Sequence, residues 1–315
     1  MKGHQPMAGS GTVLVTGCSS GIGHETAALL VRRGYRTFAT MRRADERGHT
    51  LAAATVGTPG ELEVRELDVT RREEVERVVE EAAERGDLVA VVNNAGTAIA
   101  GFFEDLADDQ MRTVFETNFF GLGNVTRAAI PHLKRRGRGT IVQVSSGGGR
   151  VGLPLLATYA ASKHAVEGLS EVLHHELRPL GIRVILLEPG WHRTRIQSDD
   201  RRIVGLGAGE DTPRVVVERL MAQTRAMVER MGRDPAHAAE AIVKLIESPN
   251  PRLRHPVGPD AWLMLAAKRF LPYRLFEMAV GRMLRGAGYP EDHGGAPVGD
   301  PGSPGGEAAP GGRGT

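Results

Sequence analysis

"VTGCSSGIGHETAALL", Val15–Leu30, sets three glycines (Gly17, Gly21 and Gly23) between an apolar run and an amphipathic one. The run leading into it, "TVLVT" (12–16), is short and β-branched, as a buried strand is. A glycine turn between a strand and a helix has three separate uses. Gly17 permits the tight turn, Gly21 lets the backbone approach a ligand, and Gly23 lets the helix pack closely on the sheet. The free N–H groups at the helix start then face an anion such as a pyrophosphate. The spacing is G-x-x-x-G-x-G rather than the commoner G-x-G-x-x-G, and glycine also serves turns for sterics alone. Its place after a strand and before a helix is what points to dinucleotide binding.

The same alternation continues along the chain. "YRTFAT" (35–40), "LEVREL" (62–67), "LVAVVN" (88–93), "TIVQVSS" (140–146) and "IRVILLEP" (182–189) read as strands, several of them apolar almost throughout. Between them, "EEVERVVEEAAERG" (73–86) and "SKHAVEGLSEVLHHELRPLG" (162–181) carry apolar residues at helical spacing and end on glycine. Strand–helix alternation predicts a doubly wound parallel α/β sheet, a Rossmann fold, as one domain over 12–258. Residues 1–11 are expected to be a flexible N-terminus, 259–285 a helical C-terminal cap, and 286–315 a disordered tail. The tail is glycine- and proline-rich and lacks the apolar surface to offset its ordering entropy.

Bulk composition narrows the function classes. Lysine plus arginine (40) nearly balances aspartate plus glutamate (38), so net charge gives a nucleic-acid partner no support. The single cysteine, Cys18, rules out an intrachain disulfide and suits a reducing compartment. "MKGHQPMAGSG" (1–11) lacks the apolar core of a signal peptide, and no run of 18 apolar residues occurs. A soluble, cytoplasmic protein is expected. His174 and His175 have no ligand spacing to the cysteine, so no metal is expected.

The second strand addresses the choice of nucleotide. An acid about 20 residues past the glycine turn marks preference for an unphosphorylated ribose. "FATMRR" instead puts Met41, Arg42 and Arg43 there, where a 2′-phosphate would find cations; the alternative is a solvated strand end. Further on, "TYAASKHA" places Tyr159 and Lys163 four apart on one helix face. A phenol with a pKa near 10 exchanges protons poorly at neutral pH, and an adjacent ammonium favours its phenolate. Ser146 closes the preceding strand thirteen residues before Tyr159, at the sheet edge where ligands bind, with Ser145 as a competing hydroxyl.

Seven motifs stand in one order: "TGCSSGIG" (16–23), "LDV" (67–69), "NNAG" (93–96), "TN" (117–118), "VSS" (144–146), "YAASK" (159–163) and "PGWHRT" (189–194). Together they resemble the short-chain dehydrogenase/reductase family over roughly residues 12 to 258, and thirteen is the family spacing that selects Ser146 over Ser145. The resemblance implies carbonyl–alcohol interconversion with a nicotinamide cofactor, NADP(H) preferred and NAD(H) the alternative. It implies that Tyr159 is the general acid or base, that Lys163 lowers its pKa and holds the nicotinamide ribose, and that Ser146 bonds the substrate oxygen. Asn118 would anchor the water of a proton relay. Gly17, Ser19, Ser20, Gly21, Ile22 and Gly23 would form the cofactor turn, with Arg42 at the 2′-phosphate. Asp68 and Val69 would border adenine, Asn94 the adenosine ribose, and Pro189, Gly190 and Thr194 the carboxamide side. A small-molecule carbonyl or alcohol substrate and a homo-oligomer are expected. A sugar-nucleotide epimerase or dehydratase and a non-catalytic cofactor sensor are the rival readings.

"DAWLMLAAKRFLPYRLFEMAVGRML" (260–284) departs from the shortest family members and, with "FATMRR" and "GLP" (152–154), resembles the retinol- and hydroxysteroid-dehydrogenase-like branch, in which such an extension covers the substrate cleft. Trp262, Leu263, Leu265, Phe270, Leu275 and Phe276 are expected to be packed within the chain or against a subunit, membrane-surface contact being the less favoured outcome.

Overall fold

Successive side chains of a strand point to opposite faces, so two apolar layers form wherever both faces are covered. In the computed structural model, which describes residues 11–194, 202–203 and 214–289, strand β1 (Thr12–Thr16) hands Val13 and Val15 to one core and Leu14 to the other. β2 (Arg36–Met41), β3 (Glu61–Glu66) and β4 (Leu88–Asn93) follow, then the two-residue β5 (Ile99–Ala100). β6 (Gly139–Val144), β7 (Ile182–Pro189), the short β8 (Arg202–Ile203) and β9 (Arg254–Val257) complete the strands. The main sheet has the order β3-β2-β1-β4-β6-β7-β9 and every pair in it is parallel, while β5 and β8 pair separately.

The helices are α1 (Gly21–Arg32), α2 (Ala44–Arg47), α3 (His49–Ala54), α4 (Arg72–Glu84), α5 (Asp108–Phe115) and α6 (Leu122–Arg136). Then come α7 (Ala157–Leu177), α8 (Arg214–Met231), α9 (Pro235–Glu247), α10 (Pro259–Phe270) and α11 (Tyr273–Gly286). α1 and α9 cover one face through Ala27, Leu30, Ile242 and Ile246; α4, α6 and α7 cover the other through Val75, Val79, Leu133 and Leu173. In α4, Val75, Val78, Val79 and Ala82 recur at three and four residues and are all buried, which is why so charged a segment folds as a helix. Asp234 caps α9 by accepting from the Ala236 N–H at 2.9 Å, with Pro235 at the first turn. Chain order reverses beside β1, so a crevice opens between the carboxyl ends of β1 and β4.

Four features depart from the sequence reading. The sixth strand stops at Val144, leaving Ser145 and Ser146 in the loop beyond it. β9 was not foreseen because "RHPV" contains Pro256; it lies at the sheet edge, paired only with β7, where proline is tolerated. The expected packing of the C-terminal helices is corrected in its within-chain part only: Trp262, Leu263, Phe270 and Leu275 are exposed on this chain, Leu265 and Phe276 half-buried, and α10 buries only Ala261. Apolar residues run round most of the circumference, and one layer of chain beneath a helix can cover only one side of it. The tail begins later than position 286, since Ala287 is fully buried and Tyr289 stacks on Phe102 at 5.4 Å. The rest of that tail and residues 1–10 lie outside the described residues. Among the described residues no helix is long and apolar enough to cross a membrane.

Candidate active site

At the end of β1 the chain turns with Gly17 at φ +74°, where an added Cβ would lie 2.8 Å from the Ala95 Cα. At Gly23 a Cβ would run into the Gly17 carbonyl, so the first turn of α1 sits directly on the loop. The Thr16 hydroxyl accepts from the N–H groups of Asn94 and Ala95, both at 3.0 Å. Asn94 Nδ2 donates to the carbonyls of Thr16 at 2.9 Å and Gly17 at 3.1 Å. Asn94 therefore braces the glycine turn, a role its motif did not announce. Ser20 makes no side-chain cap on α1 and the first turn contains no acid, so among the described residues the leading N–H groups of Gly21, Ile22 and Gly23 have no carboxylate of their own turn to satisfy them. Ser19 and Ser20 are half-buried beside them, and Thr194 closes over the turn with its Cγ2 3.2 Å from where a Gly21 Cβ would stand. A bare, braced helix start of this kind fits a dinucleotide pyrophosphate.

The neighbouring strand ends carry the other residues expected at the nucleotide. Asp68 is half-buried, accepting at Oδ1 from the Thr70 N–H and hydroxyl, and Val69 is buried against Gly121. Arg42 is exposed and engages no partner among the described residues, whereas Arg43, at φ 56°, pairs with Glu46 at 3.5 Å. Met41 is 2 % exposed and belongs to the core, so it does not face a phosphate. Cys18 is buried as well, its thiol pushed far up by burial and held on the Val15 carbonyl at 3.2 Å. It is a packed side chain.

Tyr159 and Lys163 lie in the first two turns of α7, with the Lys163 Nζ 5.9 Å from the Tyr159 ring centre. Lys163 is buried and donates to the Val144 carbonyl at 2.8 Å; burial pushes its pKa down to about 8, with Glu167 opposing that shift. Ser146 accepts from the Gly148 N–H at 3.1 Å. A Cβ on Gly148 would lie 3.3 Å from the Tyr159 Cε1 and 3.5 Å from the Ser146 Oγ, so the two side chains flank that glycine. Ser145 points the other way, buried beside Gly149 with no partner for its Oγ among the described residues. The structure thus separates the two serines. Asn118 sits in a π-helical turn (Glu116–Gly121) between α5 and α6. Its Oδ1 accepts from the Thr97 N–H at 2.8 Å, and its Nδ2 donates to the Thr97 carbonyl and to the Ser162 Oγ. Ser162 in turn donates to the Tyr159 carbonyl at 2.8 Å.

Residues 11–203 match the family model described as short chain dehydrogenase. The chain belongs to that family. The dehydrogenase is 34% identical over 271 residues to the 3-ketodihydrosphingosine reductase of Bacteroides thetaiotaomicron, covering 85% of this chain and 96% of that protein. It is 35% identical over 268 residues to bovine (Bos taurus) retinol dehydrogenase 8, covering 83% and 86%. A short-chain dehydrogenase structure from Streptomyces avermitilis superposes with a TM-score of 0.73 at 33% identity, covering 88% of this chain and 98% of that one. Solved chains of the same fold are described in complex with NAD and with NADP. The dehydrogenase is therefore an oxidoreductase of alcohol and carbonyl groups, built on a nicotinamide-nucleotide fold and similar to the retinol- and hydroxysteroid-acting members.

Sequence reasoning singled out Pro189 and Gly190 but not the contacts that lock the loop of the dehydrogenase after β7. Pro189 ends that strand, and the Gly190 N–H donates to the Val257 carbonyl at 2.9 Å. The Trp191 N–H donates to Asp260 Oδ2 at 2.5 Å, tying the loop to the start of α10. His192 is 1 % exposed, with Nδ1 3.1 Å from the Gly190 carbonyl; burial lowers its pKa and keeps the ring neutral. Met264, one turn along α10, reaches Gly147 beside Ser146. The contacts of Val257, Asp260 and Met264 with this region join residues too far apart in the chain for any spacing to reveal.

Proposed function

We propose that the chain is an NADP(H)-dependent oxidoreductase that interconverts a carbonyl and an alcohol at a Ser146–Tyr159–Lys163–Asn118 site. The observation carrying this reading is that Ser146 and Tyr159 flank Gly148, with the buried Lys163 ammonium behind the phenol ring. The nicotinamide, when bound, supplies or accepts the hydride at the carbonyl carbon. In reduction Tyr159 gives its proton to the substrate oxygen as charge develops there, and in oxidation it takes the proton back. Ser146 bonds the same oxygen, which is stabilised most in the transition state. Lys163, charged below about pH 8, favours the phenolate that the proton transfer leaves. Both donors of the Asn118 amide are used within the protein, so its part in a proton relay runs through the backbone of its π-turn.

Preference for NADP(H) is supported by the exposed Arg42 and by the absence of any acid at the end of β2. The names of the two relatives identify a ketone and an alcohol as their substrates. Nearly the whole described chain is consumed by one sheet and its helices, without the larger substrate domain of sugar-nucleotide epimerases. NADPH consumption against a panel of steroid, retinoid, aliphatic and acyl-thioester carbonyls tests the reading. Tyr159→Phe should bind NADPH as before and lose roughly a hundredfold or more in kcat. Turnover within about twofold of wild type would remove Tyr159 from the chemistry. No turnover with any carbonyl would favour the cofactor sensor.

A further inference from the structure

We propose that the outer face of the α10–α11 hairpin is a docking surface for an anionic lipid leaflet. Seven of the fifteen large apolar side chains exposed among the described residues fall between positions 262 and 278. Trp262, Leu263, Phe270, Tyr273 and Met278 are 60, 73, 75, 67 and 66 % exposed. So dense a cluster is more than the scattered apolar residues of an ordinary surface. The two helices are exposed outward only. Ala261 is buried on the inner side of α10, Met264 reaches Gly147, and Met283 and Leu284 pack against a core that includes Val216 and Leu220.

Charge identifies the occupant. Lys268, Arg269, Arg274, Arg282 and Arg285 are all exposed in the same two helices. Of the two acids there, Asp260 is half-buried and turned inward to the Trp191 N–H, which leaves Glu277 alone among the cations. A second copy pairing about a two-fold axis would set this basic patch against itself. The tail from position 290 has no aromatic residue and only Val298 as an aliphatic larger than alanine, so it offers nothing to cover the patch. An anionic leaflet answers both halves of the composition. Headgroups meet the lysine and arginines, while the aromatic and aliphatic tips enter the acyl boundary. Neither helix can cross a bilayer, so the hairpin lies in the interface plane. The inner side of α10 is one residue from Ser146, so docking sets the site mouth against the lipid; that consequence rests on the proposed activity, whereas docking does not.

Flotation of the full chain with vesicles tests this without reading turnover. The probes are vesicles of phosphatidylcholine alone and of phosphatidylcholine mixed with phosphatidylglycerol. Wild type should float with the mixed vesicles and bind the neutral ones roughly tenfold or more weakly, as loss of several lysine and arginine contacts implies. The exposed-site variant Trp262→Ser/Phe270→Ser/Tyr273→Ser should lose flotation while keeping its circular dichroism spectrum. Lys268→Glu/Arg269→Glu should lose it on mixed vesicles by a similar factor. Wild type that stays in the soluble fraction with both vesicles overturns the proposal. So does a serine variant that floats as well as wild type, or a dimer in sedimentation velocity that this variant dissolves while no vesicle binding is found.

Discussion

Replacing Lys163 with methionine should make the fold more stable while it removes activity. Lys163 is 4 % exposed, and burial pushes its pKa from 10.5 to about 8. At about 1.36 kcal/mol per pH unit, that displacement is a cost of about 3.4 kcal/mol for keeping the native lysine charged. Methionine has a similar length and no charge, but it forfeits the hydrogen bond to the Val144 carbonyl, worth about 1 kcal/mol net. The variant should therefore gain about 2 kcal/mol at pH 7, or roughly 3 °C in Tm for a chain of this size. The advantage depends on pH in a defined direction. Below about pH 8 both native and unfolded lysine carry the proton, so the wild type bears the full cost. Between about 8 and 10.5 the native state releases it first, and wild-type stability rises with pH until the cost is gone. Urea unfolding of cofactor-free protein, followed by far-ultraviolet circular dichroism at about pH 7 and about pH 9.5, reads this difference. A variant less stable than wild type at neutral pH, or one whose advantage is equal at both pH values, refutes the reasoning.

Other substitutions test neighbouring assignments. Arg42→Ala should lower kcat/KM for NADPH by roughly tenfold or more and barely change NADH, because only the former carries the phosphate that a charged hydrogen bond would hold. An unchanged ratio assigns the phosphate to another residue. Met41→Asp should not switch the cofactor but should lower the denaturation midpoint by the equivalent of a few kcal/mol, since it places a carboxylate in the core. Ser146→Ala should lower kcat about a hundredfold or more, as loss of an oxyanion donor does. Ser145→Ala should leave kcat within about twofold, because its hydroxyl faces Gly149 rather than Tyr159. Equal losses in the two alanine variants would contradict that division.

What the sequence discloses depends on how far apart the interacting residues lie. β1, the glycine turn and α1 are one contiguous unit, and the helix face shared by Tyr159 and Lys163 follows from a single turn of spacing. Strand periodicity marks the two apolar layers because both faces of β1, β4 and β6 are buried. Met41 is read together with Arg42 and Arg43 at the nucleotide because the strand's last inward position is decided by the core it joins, not by its neighbours in sequence. Asn94 carries a recognisable motif, yet its brace on Thr16 and Gly17 is made across 78 and 77 residues. The Asp260 contact with Trp191 spans 69 residues and has no local signature at all. The hairpin of α10 and α11 shows the opposite limit: its helices are legible, but composition alone does not say whether their apolar faces meet protein or something else.

α7 holds a last consequence of this kind. Tyr159, Lys163 and Glu167 recur every four residues, so they form one stripe that runs from the site mouth inward. Glu167 is buried and accepts from Arg254 Nε at 3.0 Å, while Glu188, also buried, accepts from Arg150 at 3.2 Å and lies 3.5 Å from Arg254. Burial first, and then the charge of Glu167, pushes the Glu188 pKa up to about 7. Two arginines thus serve two buried carboxylates and the outer Glu171, and Lys163 is the third cation of the group. The charge of Glu167 helps Lys163 keep its proton against burial. Glu167→Gln keeps the shape and an acceptor for Arg254 but removes that charge. The Lys163 pKa should then fall below about 8, and the alkaline decline of kcat/KM should move to lower pH. Activity near pH 6 should be almost unchanged, because Lys163 is still protonated there, and NADPH affinity should hold. A role limited to packing would lower activity equally at every pH and leave the shape of the profile alone. Profiles of the two proteins measured side by side separate these outcomes, and an alkaline limb that stays in place or moves upward refutes the coupling between Glu167 and Lys163.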